Sequence, residues 1–173
     1  VDLVGDKLRE VFATGDIVVS WRNEAAGMRH ILYAYEHGER QEHASVPDSL
    51  ERPIDKALLL RKPVIVADRA AAHRLGLHHF AGTDMSLSSV FAPMFAGDRF
   101  LGAIALENYE RENAFGDADA RLLSTIAASM GVALENARLL EDTQRRERES
   151  TALSDVGRDL SSTLDLATVM DRI

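Results

Sequence analysis

Two strand-length apolar segments separated by Gly97-Asp98 constrain the fold of this chain more than any other feature. Ser89 to Phe95 and Phe100 to Tyr109 are both rich in apolar residues. A Gly-Asp pair between two such segments is typical of a β-hairpin. Gly102, inside the second segment, indicates a bulge or a close approach of another backbone. The sequence therefore predicts an antiparallel sheet built around this hairpin.

Three further segments add strands to the predicted sheet. Ile17 to Arg22 is rich in β-branched residues, and Met28 to Glu36 alternates between two faces. The polar turn Asn23 to Gly27 joins these two strands into a second hairpin. Val64 to Val66 forms a short middle strand, because Pro63 separates it from the preceding helix. We therefore expect a sheet of about five to six strands.

Helical patterns lie at both ends of the chain. Asp2 to Ala13 has its apolar residues on one stripe, and short helices are predicted at Ile54 to Leu60 and Ala70 to Leu75. A long helix begins at Asp117, where acidic residues suit the positive end of the helix dipole. An antiparallel sheet carrying helices from both chain ends is an α+β arrangement.

The long helix carries an apolar seam that predicts packing against another helix. Glu141 to Ser150 interrupts the seam with an exposed, charge-laced stretch. The seam resumes about one residue out of step, as a stutter in a coiled coil would produce. The seam residues recur at spacings of three and four, and are Leu122, Ile126, Met130, Ala133, Ala137, Leu140, Leu153, Val156 and Leu160.

Composition excludes several classes of function. Apolar residues make up 46% of the 173 residues, which is enough to bury a core. The formal charge of −8 argues against a general nucleic-acid binder and against an anionic membrane surface. The chain has no cysteine, so disulfides, thiol nucleophiles and cysteine metal sites are excluded. No apolar run is long enough to cross a membrane. Because the first residue, Val1, lies inside a helical pattern, we interpret the chain as a fragment.

The order of these elements, and the residues in them, resembles the GAF domain. The stretch from Ser89 to Leu139 resembles the closing section of that family, with its Gly-Asp hairpin, a Leu-Gly pair and a helix ending in ALENARL. RKPVIVAD, from Arg61 to Asp68, resembles the short middle strand. The resemblance covers residues 1–140. It implies N- and C-terminal helices on one face of the sheet and a ligand pocket under loops on the other.

The resemblance also implies a place in a larger protein. Ser154 to Ile173 is similar to the lead-in of a further sensory module, and the alternative is a C-terminal helix packed on the core. We therefore expect a GAF domain at 1–140, then a signalling helix and the start of a following module at 141–173. Such segments join tandem sensors to a histidine kinase or an adenylate or guanylate cyclase output, which predicts a cytoplasmic bacterial signalling protein.

Some GAF domains that bind cyclic nucleotides carry Asn-Lys, then Phe, three residues and Asp-Glu. Asn108, Phe115 and Asp119 match this pattern, but Tyr109 replaces the lysine and Ala120 replaces the glutamate. The implied ion pair between lysine and aspartate cannot form. The alternative is structural, with Asn108 at a strand end and Asp119 at the start of the helix.

Seven polar and aromatic residues are candidates for binding a small molecule. The aromatic ones could stack on a planar ligand or belong to the core. The polar ones before and within the strands could donate to a ligand, or serve as turn residues. Glu107 interrupts an apolar strand and needs a partner if it is buried. The candidates are Trp21, Tyr33, Thr83, Asp84, Ser89, Phe91 and Glu107.

Catalytic and metal chemistry receive little support from the sequence. His73, His78 and His79 could converge on zinc or haem iron, but no H-E-x-x-H pattern occurs, so no metal and no cofactor is predicted. The reductases of the GAF family require cysteines, and covalent bilin attachment requires one too. Neither is available here. We therefore expect no catalytic residues and no enzyme activity.

Two functional hypotheses follow. In the first, a small molecule binds in the pocket, shifts the loop from Ala67 to Ser88, and relays this change through the C-terminal helix of a homodimer to an output domain. In the second, the pocket is filled by side chains and the chain is a ligand-free dimerisation and coupling module. An open polar pocket would favour the first hypothesis, and a pocket filled by Trp21, Tyr33 and Phe91 the second.

Overall fold

The computed structural model describes residues 2–12, 16–78 and 83–170, which form an α+β arrangement of helices and an antiparallel sheet. The predicted antiparallel sheet with terminal helices is confirmed. The elements are α1 (Asp2–Phe12), β1 (Ile17–Asn23), β2 (Met28–Glu36), β3 (Glu39–Arg40), β4 (Val46–Pro47), α2 (Pro53–Leu58), β5 (Val64–Val66), α3 (Arg69–Arg74), β6 (Ser88–Ala96), β7 (Arg99–Asn108) and α4 (Asp117–Met170).

Seven strands form a single sheet in the order β3-β2-β1-β7-β6-β5, with β4 also paired to β2. The two predicted hairpins, β1-β2 and β6-β7, are both antiparallel. Pairing of β1 with β7 joins the hairpins, with Ile17 opposite Leu106. The sheet has more strands than predicted because the two-residue strands β3 and β4 are too short to leave a periodic signal in the sequence.

Gly102 lies at a close backbone approach, which is one of the two alternatives that the sequence left open. Its φ of 141° is a conformation that other residues rarely adopt. A Cβ atom at this position would collide with the carbonyl oxygen of Ser20 on β1. The pairing of β1 with β2 also shifts register between Val19 and Ser20. The centre of the sheet therefore depends on a glycine where two strands come closest.

One face of the sheet is covered by α1 and α4. Side chains alternate along a strand, so the fully buried Val19 and Ile104 share this face with Tyr33. Gly5 of α1 lies against the Tyr33 ring, and Gly131 of α4 lies against the backbone of Phe95. The small residues let both helices approach the strands closely.

The buried stripe of α4 differs from the predicted seam. Leu122 is 44% exposed, whereas its neighbour Leu123 is fully buried. The stripe that faces the sheet is therefore distinct from the seam predicted to pack against another helix, and packing along that seam stays a prediction. The buried residues of the stripe are Ala120, Leu123, Ala127 and Met130.

The opposite face of the sheet is covered by α2, α3 and the segment before β6. Ile54 and Leu58 of α2 form a buried cluster with Phe100 and Ala103 of β7. Pro53 at the first position of α2 suits a helix start, where its missing N–H costs nothing. Asp68 accepts a hydrogen bond from the Ala71 N–H at 2.6 Å and so caps α3. These short helices hold the roof of the cavity described below.

The chain divides into two compact units, Val1–Val132 and Ala133–Ile173. The second unit is helical through Met170 and carries ion pairs along its surface, such as Arg138 with Glu135 and Arg145 with Asp142. Its apolar Leu139, Leu140 and Leu153 are exposed. Among the described residues, no helix is both long and apolar enough to cross a membrane.

Candidate functional site

A cavity of about 320 Å³ lies between the sheet and the roof formed by α2, α3 and residues 83–87. Its floor consists of small side chains, Ser20 on β1 with Ala103 and Ala105 on β7. Larger residues at these positions would fill the space, since protein interiors are otherwise closely packed. Leu58 and Phe91 form apolar walls. The volume falls at the lower end of the range for small-molecule sites.

One side of the cavity is bounded by a buried network of charges. Asp55, which is 1% exposed, accepts hydrogen bonds from Arg29 Nη2 at 2.9 Å and from Arg52 Nε at 2.7 Å. Asp48 accepts from Arg29 Nη2 at 2.9 Å and from Arg22 Nε at 2.6 Å. Three guanidinium groups therefore face two carboxylates. Paired in this way, the charges avoid most of the penalty for leaving water.

The network holds the Asp48 carboxylate in the charged form. Burial alone would raise the pKa of Asp48, but the hydrogen bonds and charges of Arg22 and Arg29 outweigh it and lower the pKa below its ordinary value. The result is a fixed, net positive wall beside an apolar cavity. Such a wall favours ligands that carry an acceptor or an anionic group on that side.

Carboxyl groups gather at the other side of the cavity. Glu107 lines the cavity at the end of β7 and accepts a hydrogen bond from the Tyr109 hydroxyl at 2.8 Å. Burial raises the pKa of Glu107 to about 7, and the nearby Glu36 and Asp16 carboxyls add to the rise, against the hydrogen bond from Tyr109. At neutral pH this carboxyl is therefore partly protonated and able to donate as well as accept.

The segment before β6 connects this acidic side to β2. The backbone N–H of Asp84 donates to Glu36 Oε1 at 2.6 Å, and the Asp84 carboxylate lies 3.2 Å from His37 Nε2. The Ser88 hydroxyl donates to the Arg111 carbonyl at 3.0 Å and accepts from the Ala114 N–H. These bonds position residues 83–87 across the cavity, with Asp84, Met85 and Ser86 in its lining.

The sequence model of the GAF domain family matches residues 1–135. The chain belongs to the GAF domain family. No curated protein matches the chain.

Solved structures with this GAF fold resemble the chain at low sequence identity. The GAF domain of an Acinetobacter phosphoenolpyruvate-protein phosphotransferase has a TM-score of 0.64 at 13% identity, covering 78% of this chain and 79% of that one. The free methionine-R-sulfoxide reductase of Neisseria meningitidis, in complex with its substrate, has a TM-score of 0.57 at 21% identity, covering 77% and 74%. The second GAF domain of DevS from Mycobacterium smegmatis has a TM-score of 0.57 at 18% identity, covering 83% and 94%.

Four of the seven predicted ligand-binding residues line the cavity of this GAF domain. Ser89 and Phe91 project from β6, Glu107 from β7, and Asp84 from the roof segment. Ser89 is buried, so its hydroxyl faces the cavity rather than bulk solvent. The strand pairing Ser89 with Glu107 brings two of these residues together. Their role in binding a ligand stays a prediction.

The other three predicted residues lie outside the cavity lining, and their role in ligand binding stays a prediction as well. Tyr33 is buried on the opposite face of the sheet, where its hydroxyl donates to Asp6 of α1 at 2.6 Å. Trp21 stacks on its cross-strand neighbour His30, with ring centroids 5.5 Å apart. Thr83 precedes Asp84 but does not line the cavity. Alternation along β1 and β2, together with the register shift between them, decides which face each aromatic ring occupies.

The arginine–aspartate network is the part of the site that sequence reasoning missed. Asp55 lies on the buried side of α2 among apolar residues, which is an unusual position for an acid. This acid within an apolar helix stripe is the sequence feature that could have indicated the network. Its partner Arg29 is 26 positions away in sequence, so nothing local pairs them. The alternation of β2 in the sequence grouped Arg29 with Ile31, Tyr33 and Tyr35 on one face, and it indicated no acidic partner.

Asn108 and Asp119, which match the cyclic-nucleotide pattern, have structural roles in this chain. The Asn108 side chain accepts from the Glu110 and Arg111 N–H groups at 3.0 and 2.8 Å, which closes the turn after β7. Asp119 accepts from the Gly116 N–H at 2.9 Å at the start of α4. Both side chains are engaged in backbone contacts and neither lines the cavity.

The histidines of the predicted loop do not form a described cluster. His73 is exposed on α3, and His78 lies in the cavity lining near its opening. His79 lies outside the described residues.

Proposed function

We propose that this GAF domain is a sensory module that binds a small molecule in the cavity between the sheet and α2. The observation that carries the proposal is the cavity itself, which is open and has an apolar interior between two polar sides. Ligand sites in proteins are concave and mostly apolar, with a few convergent polar groups. The arginine wall, Ser89 and Glu107 supply those groups. The similar reductase, solved with its substrate, makes a bound small molecule a natural role for this fold.

The same strands connect the cavity to the terminal helices, which supports a relay. Ala103 and Ala105 of β7 face the cavity. The alternating residues Ile104 and Leu106 face α1 and α4 on the other side of the sheet. A ligand that presses on β7 from one side would therefore change packing on the other. It shifts the helices only as far as its affinity differs between the two arrangements.

The proposed relay leads through α4 to an output domain of the parent protein. By the resemblance above, that output is a histidine kinase or a nucleotide cyclase, and the parent is a bacterial cytoplasmic regulator with tandem sensory modules. This chain would act without catalytic residues of its own. In support, it has no cysteine for the chemistry expected of the family's reductases.

A second candidate function is a ligand-free dimerisation and coupling module. The observation that favours it is the apolar exposed surface of α4. Val132 is 58% exposed, Leu139 50% and Leu153 73%. These residues are seven and fourteen positions apart, and a seven-residue repeat is the spacing of a two-stranded coiled coil. The two functions are compatible, because a sensor of this kind needs a partner helix to transmit its state.

A thermal-shift screen of the protein and a cavity-filled variant tests the proposal. A ligand at about 100 times its dissociation constant stabilises the folded state by about 2.7 kcal/mol, which raises the melting temperature by roughly 5–11 °C for a chain of this size. Ala105→Leu fills the cavity floor and should abolish the shift. Ala118→Leu, at an exposed position of α4, is the matched control and should retain it.

Either of two outcomes would count against ligand binding in the cavity. A compound that raises the melting temperature of Ala105→Leu as much as that of the wild type binds outside the cavity. A screen of cyclic nucleotides, purines, amino acids, haem and aromatic acids that gives no shift at all would favour the coupling module.

A further inference from the structure

We propose that Glu36, His37 and Asp84 form a binding site for a divalent first-row transition-metal ion such as Zn²⁺. Each residue offers one ligand atom, and the three atoms lie within 4.8 Å of one another. His37 Nε2 is 3.2 Å from Asp84 Oδ2 and 3.9 Å from Glu36 Oε1. The site lies at the end of β2, beside the cavity, and is separate from the arginine network.

These separations match a nearly assembled metal site. Imidazole nitrogen and carboxylate oxygen lie about 2.0–2.2 Å from zinc, so two ligands at a tetrahedral ion are about 3.3–3.6 Å apart. The His37 distances to Asp84 and Glu36 lie on either side of that range. A small rotation of the exposed Asp84 and His37 side chains would bring all three atoms onto one ion. Three protein ligands would leave the fourth position to water or to a ligand atom.

The charge of the surroundings favours a cation here. Glu36 is 7% exposed, and its described partners are the Asp84 N–H and, at ion-pair distance, His37. Glu36 and Asp16 both interact electrostatically with the Glu107 carboxyl. A cation bound at this point would be attracted by the negative charge of the Glu36 and Asp84 carboxylates.

The backbone places the histidine where it can complete the site. His37 has a φ of 51° and Gly38 a φ of 77°, so a tight turn follows β2 directly. The His37 ring packs on the Tyr109 ring, with centroids 4.6 Å apart. Contacts of this kind orient a metal ligand before the ion arrives.

The donor set selects the class of metal. An imidazole ligand suits zinc, copper, nickel and iron better than magnesium or calcium, which prefer all-oxygen sites. The carboxylates, with no thiolate in the chain, disfavour ions that require soft ligands. Because Asp84 also lines the cavity, a bound ion would fasten residues 83–87 to the end of β2.

Metal titration of the full chain without a polyhistidine tag tests this site. Zn²⁺ affinity is measured by competition with a chromophoric chelator, and Co²⁺ absorption reports the coordination geometry. The ligand variants are His37→Asn, which keeps a residue tolerant of positive φ, and Asp84→Asn. The matched controls are His73→Asn, at an exposed position of α3, and Glu24→Gln, in the exposed turn at the opposite end of β2 from the site. Circular dichroism confirms that every variant is folded.

The expected result is one Zn²⁺ per chain, a tetrahedral or five-coordinate Co²⁺ spectrum, and a loss of at least about tenfold in affinity in each ligand variant. The controls should bind like the wild type. Absence of stoichiometric binding by the wild type would overturn the proposal. Equal binding by His37→Asn and the wild type would overturn it as well, because the ion would then be held by other residues.

Discussion

Arg29 on β2 and Asp55 on α2 are joined by a hydrogen-bonded ion pair of 2.9 Å at the edge of the cavity. The Arg29 side chain is 14% exposed and the Asp55 side chain 1% exposed, so the pair is almost fully removed from water. It fixes the helix that roofs the cavity to a strand of its floor. The shape of the cavity therefore depends on a contact that no local sequence pattern reveals.

Replacing Asp55 by alanine should strongly destabilise the protein. The change leaves the Arg29 and Arg52 guanidinium groups without their shared carboxylate, and breaking a buried pair typically costs about 3–5 kcal/mol. Urea denaturation measures the effect. Glu51→Gln is the control, because Glu51 forms an exposed pair with Lys56, and such pairs contribute roughly 0–1 kcal/mol. Similar losses for both variants would mean that the Arg29–Asp55 contact is not a stabilising one.

Gly5→Ala should destabilise the protein even though alanine favours helices. In an exposed helix this change stabilises by roughly 0.5–1 kcal/mol. Here a Cβ on α1 would meet the ring of Tyr33, which is itself buried. We expect a net loss of about 1–3 kcal/mol from overpacking, measured by thermal or urea unfolding. The second substitution Tyr33→Leu should make Gly5→Ala less costly. If Gly5→Ala stabilises the wild type, α1 does not pack on Tyr33 as described.

The contacts of Asp55 and Tyr33 show which parts of the fold the sequence predicts and which it does not. Hairpins, short helices and the start of α4 depend on local turns, caps and periodicity, and could be predicted from them. The pairing of β1 with β7, the face that Tyr33 occupies and the stripe of α4 that is buried depend on register between distant segments. Ser89, Phe91 and Glu107 could be selected as candidates because hydroxyl, aromatic and acidic residues stand out at apolar strands, and all three line the cavity. The importance of Asp55 depends on Arg29, which is distant in sequence.

Glu107 should make folding stability fall as pH rises. Its folded pKa of about 7 lies above the ordinary value of 4.5, so the folded state holds a proton that the unfolded state has lost. The raised pKa therefore stabilises the folded state fully at pH values below the ordinary pKa. This stabilisation is lost as pH rises from about 4.5 through 7. We expect a contribution of roughly 1–3 kcal/mol over this range.

Glu107→Gln isolates that contribution, because glutamine keeps the shape without the charge. The difference in unfolding free energy between the variant and the wild type, measured with EDTA at pH 5 and at pH 8, should move in favour of the variant at pH 8. A difference that does not change with pH would show that Glu107 titrates normally in the folded protein.

The exposed apolar residues of α4 should mediate self-association. Replacing Leu139 and Leu153 together by glutamate introduces charge at both positions and should shift a dimer to a monomer in sedimentation velocity. Gln144→Glu is the control, since residue 144 is exposed and belongs to the charged stretch. A wild type that is already monomeric at high concentration would contradict dimerisation through this helix. Retention of the dimer by the double variant would contradict it too.

Hydrogen exchange with and without a ligand found in the thermal screen tests the sensory account most directly. Ligand binding should slow exchange in residues 83–87 and β7, which contact the cavity. It should also produce a measurable change in α1 and α4, which pack on the other face of the same strands. Changes confined to the cavity lining, with α1 and α4 exchanging identically in both states, would contradict the proposal that this GAF domain relays ligand binding to its helices.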